Sequence, residues 1–329
     1  MLARAGLLFS AFCVVLCADP ASAQRSSADE LLAPVVRIKT VINPDARTTQ
    51  NLGREREGSG IVIDENGLIL TIGYLMVEAH AAEVATNDGR TVPANIVGYD
   101  HETGFGLLQA IAPLKVKPIG FGKSATLSKD EVVIVASFGG PARAAPARIA
   151  AKREFAGSWE YLLDEAIFTT PPHPAWSGAA LISREGKLVG VGSLIVGDAI
   201  GDGSGEAGNM FVPIDLLAPI LGDLIADGRA ARDPRPWIGM STNEVYGRLV
   251  VSQVTAQGPA EKAGIRRGDI ITGIGGTPTK TLPELYRKIW SQGNAGATVP
   301  LDFEREGDRR HADVPSMNRL DHLKLKSTY

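Results

Sequence analysis

Cysteine is almost missing from this chain. Its 329 residues include two, Cys13 and Cys17, both within the first 23 positions. Once that segment is removed, disulfides, thiolate nucleophiles and thiolate metal sites are all excluded, and the fold must rest on its core. An excess of either charge is missing too. With 34 Lys and Arg against 37 Asp and Glu, the net charge of -3 offers nothing that draws the chain to nucleic acid or anionic lipid. Beyond the N-terminal segment no apolar run reaches the roughly 20 residues of a membrane span. The five histidines lie scattered without ligand spacing, so no metal is expected. Gly197 to Gly208 has no following Lys-Ser/Thr and no helix start, so it reads as a loop rather than a phosphate cradle, and no cofactor is expected.

The first 23 residues have one early positive charge at Arg4, an apolar stretch from about Ala5 to Cys17, and then Ala21-Ser22-Ala23. That order is the pattern of a cleaved secretory signal, too short to span a bilayer. It predicts an exported protein, periplasmic if the source is bacterial. The roughly 300 residues that remain suggest two domains.

Glycine, at 37 residues, and proline, at 20, break the chain into short β-branched runs: "VVRIKTVI", "SGIVIDENGLILTI", "TVPANIVGYD", "FGLLQAI", "EVVIVASFGG", "LVGVGSLIV". Such spacing predicts a barrel or sandwich between Ala33 and about Gly197, with a hairpin turn at Asn66-Gly67. Ile214, Leu217, Ile220, Leu221 and Ile225 recur at helical spacing and Asp227-Gly228 closes that helix, after which Arg232 to Pro236 forms a stiff linker. A smaller unit follows. Its strands "GRLVVSQV" and "DIITGIGG" flank the short helix "GPAEKAGIRRG". A second helix begins at the N-cap Thr281 with Leu282, Leu285 and Ile289 on one face, and a final hairpin turns near Glu306-Gly307-Asp308. Residues from Asn318 onward are polar and expected to be loose.

The order of these pieces resembles the exported HtrA/Deg family. It includes "GSGIVIDENGLILT", "DGRTVPANIVGYD", "GLLQ", "GKLVGVG", "FVPIDLLAPIL", "WIGM" and "GPAEKAGIRRGDIITGIGG". The resemblance implies a mainly β fold, a chymotrypsin-like double β-barrel followed by a smaller α+β PDZ domain. The corresponding boundaries are 1–23 for the signal, 24–229 for the protease domain, 230–235 for the linker, 236–317 for the PDZ domain and 318–329 for a tail. It also implies a catalytic site, and there the chain departs from the family. "LTIGYLM" puts Tyr74 where the family has histidine, and "GFGLL" puts Gly104 where it has aspartate. "AWSGA" keeps Ser177 and Gly178 but loses the flanking glycine and asparagine, and Trp176 is expected to reshape the cleft.

A serine hydroxyl needs a neighbour to take its proton, and that neighbour works best with a pKa near the working pH. Tyrosine, at about 10, stays protonated, so Tyr74 is expected to donate to Ser177 rather than accept from it. A rescue would have to come from His80, His101 or His173, since His311 and His322 fall in the PDZ unit and the tail. The oxyanion hole implied by the family is built from the backbone N–H groups of Ala175 and Ser177. The bland reading of Ser177 is a turn serine that bonds its own backbone.

PDZ domains bind an extended peptide as an added strand and hold its C-terminal carboxylate on backbone N–H groups. The resemblance assigns that loop to Trp237, Ile238, Gly239 and Met240, facing Leu282, Leu285 and Ile289. The alternative is that these apolar residues only pack the core. Three functions follow. The leading one is a catalytically impaired pseudoprotease that binds peptides or unfolded segments with hydrophobic C-termini. The alternatives are an active serine endopeptidase using Ser177 with an atypical base, and a subunit that forms a homo-oligomer or assembles with an active relative.

Overall fold

The computed structural model describes residues 27–325. The expected signal segment and the last four residues lie outside them.

Six strands close the first barrel: β1 (Val35–Ile42), β2 (Glu55–Val62), β3 (Leu68–Ile72), β4 (Ala79–Ala85), β5 (Thr91–Tyr99) and β6 (Phe105–Ala110), in the order β1-β2-β3-β6-β5-β4. The second barrel has β7 (Val132–Ala136), β8 (Ala144–Gly157), β9 (Tyr161–Thr170), β10 (Ala180–Ile182), β11 (Leu188–Val196) and β12 (Gly208–Pro213), in the order β10-β11-β12-β9-β8-β7. Every pairing in both barrels is antiparallel. Closure removes the free edges that short, β-branched strands would otherwise expose.

All five residues of β3 are buried. One face lines its own barrel and the other meets the neighbouring barrel, so a continuous apolar run suits it better than alternation. Leu70, Phe105 and Leu107 of the first barrel join Ala180, Ile182 and Val191 of the second in one core. This shared core fixes the cleft between the barrels.

The expected helix over 214–228 is broken in two. Ile214–Leu216 forms a 3₁₀ turn and Leu221–Asp227 an α-helix ending on Gly228 in the left-handed conformation. Pro219 lies between them and disfavours helical geometry at the residue before it. Ile214, Leu217, Ile220 and Leu224 are buried, while Ile225, expected on the apolar face, is 52% exposed.

The C-terminal unit is a sheet of β13 (Met240–Val245), β14 (Arg248–Val254), β15 (Ile270–Ile274), β17 (Thr298–Arg305) and β18 (Asp308–Pro315) in that order, with the short β16 (Thr277–Pro278) on β15. The helix Leu282–Trp290 covers it, and the N-cap Thr281 side chain accepts from Glu284 N–H. The link to the barrels is firmly held. Arg232 pairs with Asp100 and Glu102 in the β5–β6 turn, Arg235 pairs with Glu102 at 3.0 Å, and the Arg235 guanidinium lies 4.2 Å from the centre of the Trp290 ring.

The tail is not loose where it is described. Arg319–His322 is helical, the His322 ring packs 4.9 Å from that of Trp237, and Lys324 N–H donates to Glu78 Oε1 at 2.7 Å. Glu78, buried at φ +62°, also accepts from the N–H groups of Arg47 and Thr48 and from the Thr48 hydroxyl. A polar sequence hides such docking, because one carboxylate and one ring hold it rather than an apolar stripe.

Candidate functional site: a tyrosine-capped serine and a filled peptide loop

Ser177 lies in the loop between β9 and β10, at the mouth of the cleft. Its carbonyl accepts from Ser59 N–H of β2 at 2.8 Å. Gly178 follows at φ +72°, where an added Cβ would stand 1.9 Å from Ser59 O. Only glycine satisfies both conditions, so the serine loop is pressed against β2.

Tyr74 sits on the 3₁₀ turn Gly73–Leu75 after β3, 103 residues before Ser177 in the chain. The buried Arg56 holds this turn from beneath, donating to Tyr74 O at 2.7 Å and to Val77 O at 3.1 Å. Burial pushes the Arg56 guanidinium down to about 10. Across the cleft the Tyr74 hydroxyl is 2.9 Å from Ser177 Oγ and 2.8 Å from Ser193 O. Tyr74 meets Ser177 as a donor, and because the phenol carries a single proton the Ser193 carbonyl competes for it. Burial also pushes the Tyr74 phenol up to about 12, with hydrogen bonds from Ser177 and Trp176 pulling the other way. At neutral pH Tyr74 therefore holds its proton and cannot take another.

Gly104 is in the β5–β6 turn at φ +86°, and its carbonyl accepts from Gly73 N–H at 2.7 Å, next to Tyr74. An added Cβ would lie 3.3 Å from the Tyr161 hydroxyl, which donates to Thr103 O at 2.7 Å. A non-glycine residue at position 104 would need a strained backbone.

Among the described residues no imidazole hydrogen-bonds Ser177 Oγ. His80 is exposed on β4. His101 sits in the β5–β6 turn with a buried, unpartnered Nδ1, and burial, reinforced by Arg319, pushes it down to about 4. His173, four residues before Ser177, is buried with both ring nitrogens engaged. Nε2 lies 3.2 Å from Arg143 O, and Nδ1 accepts from Ala175 N–H at 3.2 Å. This assigns the neutral Nε2–H tautomer, and burial keeps the ring below its usual range. One of the two expected oxyanion donors, Ala175 N–H, is therefore turned onto His173.

The second cluster surrounds Ile238–Met240. Both oxygens of the Glu160 carboxylate accept from this loop: Oε2 from Ile238 N–H at 3.0 Å, Oε1 from Gly239 N–H at 2.7 Å and from Met240 N–H at 2.9 Å. Glu160 belongs to the turn between β8 and β9, not to the C-terminal unit. Burial pushes its carboxyl above the usual range, against the pull of the three N–H donors. Trp237 is engaged differently, since its N–H and carbonyl both pair with Met317 at 3.0 Å. Leu285 and Ile289 are fully buried and Leu282 nearly so, in a core that also takes in Leu162 of β9. The groove expected to be open is thus closed in this structure by residues of the chain itself. Sequence reading missed Glu160, whose one local peculiarity, φ +56° on a non-glycine residue, cannot be seen without coordinates.

Two closed six-stranded barrels joined by a shared core, with a serine loop at their junction and a helix-covered sheet behind, define a trypsin-like peptidase fold carrying a PDZ domain. The model of the trypsin-like peptidase domain matches residues 58–191 and that of the PDZ domain residues 236–315. The "Putative serine protease HhoA" of Synechocystis is 30% identical over 297 residues, 77% of this chain and 68% of that one. The Do-like serine protease HtrA of Lactococcus lactis is 28% identical over 85% of this chain and 75% of its own. A "Probable periplasmic serine endoprotease DegP-like" of Pseudomonas putida is 29% identical over 79% of this chain and 56% of its own. The chain belongs to the HtrA/Deg family. It spans 54 to 63% of the length of the Pseudomonas putida relative and of two others. Among solved structures, the HtrA-type protease AlgW with a decapeptide overlays with a TM-score of 0.52 at 20% identity, covering 90% of this chain and 98% of that one, a likeness of fold alone. Among the described residues no helix is long and apolar enough to cross a membrane.

Proposed function

We propose that this protein is an exported, HtrA-like pseudoprotease whose surviving role is to bind peptides or unfolded segments through its PDZ domain. The observation that carries the reading is the Tyr74 hydroxyl, bonded to Ser177 Oγ and Ser193 O where a proton acceptor is required. A phenol raised to about 12 removes general-base catalysis at neutral pH, and Gly104 supplies no carboxylate to support a replacement. Export is supported by the N-terminal charge and hydropathy pattern and by the periplasmic designation of the Pseudomonas putida relative. Peptide binding is supported by the PDZ match and by a backbone N–H loop that already holds a carboxylate.

The deciding experiment treats the folded protein and Ser177→Ala with a fluorophosphonate probe while following cleavage of an unfolded protein. Neither labelling nor cleavage is expected from either, under conditions that label an active relative. Labelling and cleavage that vanish together in Ser177→Ala would establish an active endopeptidase, the reading favoured by the protease names of the curated relatives. Size measurement alone and in mixture with an active relative tests the third role, as a partner subunit.

A further inference from the structure

We propose that the turn Gly157–Tyr161 is an internal ligand of the PDZ domain, with the Glu160 carboxylate in the seat of a peptide's C-terminal carboxylate, so that a peptide is captured only when this turn leaves. The proposal rests on the reading of the C-terminal domain as a peptide binder and names how that site is regulated.

Four observations converge on it. The three consecutive N–H groups of Ile238, Gly239 and Met240 are all spent on the two Glu160 oxygens at 2.7 to 3.0 Å. A second carboxylate has no donor left there. Next, Thr242 N–H of β13 donates to Ser158 O at 2.9 Å, the kind of backbone bond an added peptide strand makes along the groove. Third, the turn is gripped from the opposite wall by the helix Leu282–Trp290. Tyr286 Oη donates to Gly157 O at 2.6 Å and receives Glu160 N–H at 3.3 Å, and Arg287 pairs with Glu154 and Asp164 on the strands that flank the turn. Finally, Leu162 lies in the same apolar cluster as Ile238, Met240, Leu285 and Ile289. A carboxylate, a strand-like carbonyl and an apolar side chain are the three features by which such a groove recognises a C-terminus.

The turn does not hold this shape by local preference. Glu160 lies at φ +56°, a left-handed backbone that a non-glycine residue adopts at a cost of about 1 kcal/mol or more. Its carboxyl is buried with no salt bridge among the described residues, held by three backbone N–H groups, with the charge of Arg319 as the one cationic influence in its favour. Both features favour exit once a competing C-terminus supplies the same contacts. The ligand class is therefore a chain end with a free carboxylate and an apolar last residue.

The test titrates the chain from residue 24 onward with fluorescent decapeptides ending in Leu, Ile, Val or Phe, each as free acid and as C-terminal amide. Wild type is compared with Glu160→Ala and with the near-isosteric Glu160→Gln. Because apparent affinity scales with the fraction of open sites, an internal ligand closed nine-tenths of the time gives an affinity gain of about tenfold in Glu160→Ala. The amides are expected to fail on every protein. Hydrogen exchange on the wild type is expected to show 157–162 losing protection on peptide binding while 238–240 keep theirs. Equal affinity in folded wild type and Glu160→Ala, or capture with no change over 157–162, would overturn the internal ligand and leave peptide binding standing. If folded wild type and both variants bind none of the peptides, the peptide-binding reading itself fails, and the internal ligand with it. Should Glu160→Ala not fold, Glu160→Gln and the wild-type exchange measurement decide.

Discussion

Replacing Tyr74 with histidine is expected to restore almost nothing. Tyr74 is pushed up to about 12, so at pH 7 roughly one molecule in 100,000 carries a phenolate. Losing the base of a Ser-His-Asp site costs on the order of a millionfold in kcat. Two features of the structure limit what an imidazole at 74 returns. Gly104 offers no carboxylate, and a missing carboxylate partner costs about 10⁴. Ala175 N–H is turned onto His173, and one lost oxyanion donor costs about 10² to 10³. Together these consume the whole gain, so Tyr74→His should stay at background. Adding Gly104→Asp supplies the carboxylate, but at φ +86° and a stability cost of about 1 to 3 kcal/mol. That double variant should still fall about 10² to 10³ short until His173→Ala frees the amide. Fluorophosphonate labelling and cleavage of an unfolded protein, run on the three variants beside an active relative, provide the assay. Tyr74→His alone reaching within about tenfold of that relative would refute the reasoning.

Gly178→Ala places a Cβ 1.9 Å from Ser59 O at a left-handed backbone position, so denaturant midpoints should report a loss of about 3 kcal/mol or more. His101 is held neutral by burial, down to about 4, so its contribution is complete above about pH 6.5 and lost as pH falls from there to 4. The residue keeps some solvent contact, so the loss should be about 1 to 2 kcal/mol, and His101→Gln should flatten the fall in stability between those values while leaving pH 7.5 little changed. Glu78→Ala leaves the N–H groups of Arg47, Thr48 and Lys324 without their carboxylate and should cost about 2 to 4 kcal/mol. Limited proteolysis within 318–325 should accelerate in that variant, and an unchanged cleavage rate would contradict the role given to the clamp.

Strand positions were legible because residue type and turn chemistry declare them. "VVRIKTVI" is β1, "LVGVGSLIV" is β11, and Glu306-Gly307 links β17 to β18. The meeting of Tyr74 with Ser177 was anticipated only because family order places them together; their separation of 103 residues carries no local signal. The second acceptor was harder. Ser193 O competes for the phenolic proton, and a carbonyl has no side-chain signature. The same holds for Ala175, whose N–H looks free in sequence until the His173 ring folds back over it. Glu160 reaches a loop some 80 residues away through three backbone amides. Backbone donors are identical in every residue but proline, so no pattern of side chains announces where a carboxylate will find them. The helix over 214–228 forms only from Leu221 to its expected close at Gly228, for a plainer reason, a proline inside an otherwise periodic run.

The contacts made by Glu78 also say when the tail takes its place during folding. Its bond to Lys324 closes a loop of 246 residues, and that of Asn43 to Lys324 one of 281. Contacts across such distances form late, because each must wait for shorter loops to close first. His322 can reach Trp237, and Lys324 can reach Glu78, only after the first barrel and the C-terminal sheet are both built and docked. The latch is thus a natural reporter of completion. It should be the last part of the chain to acquire protection on refolding and among the first to surrender it when the two domains begin to part.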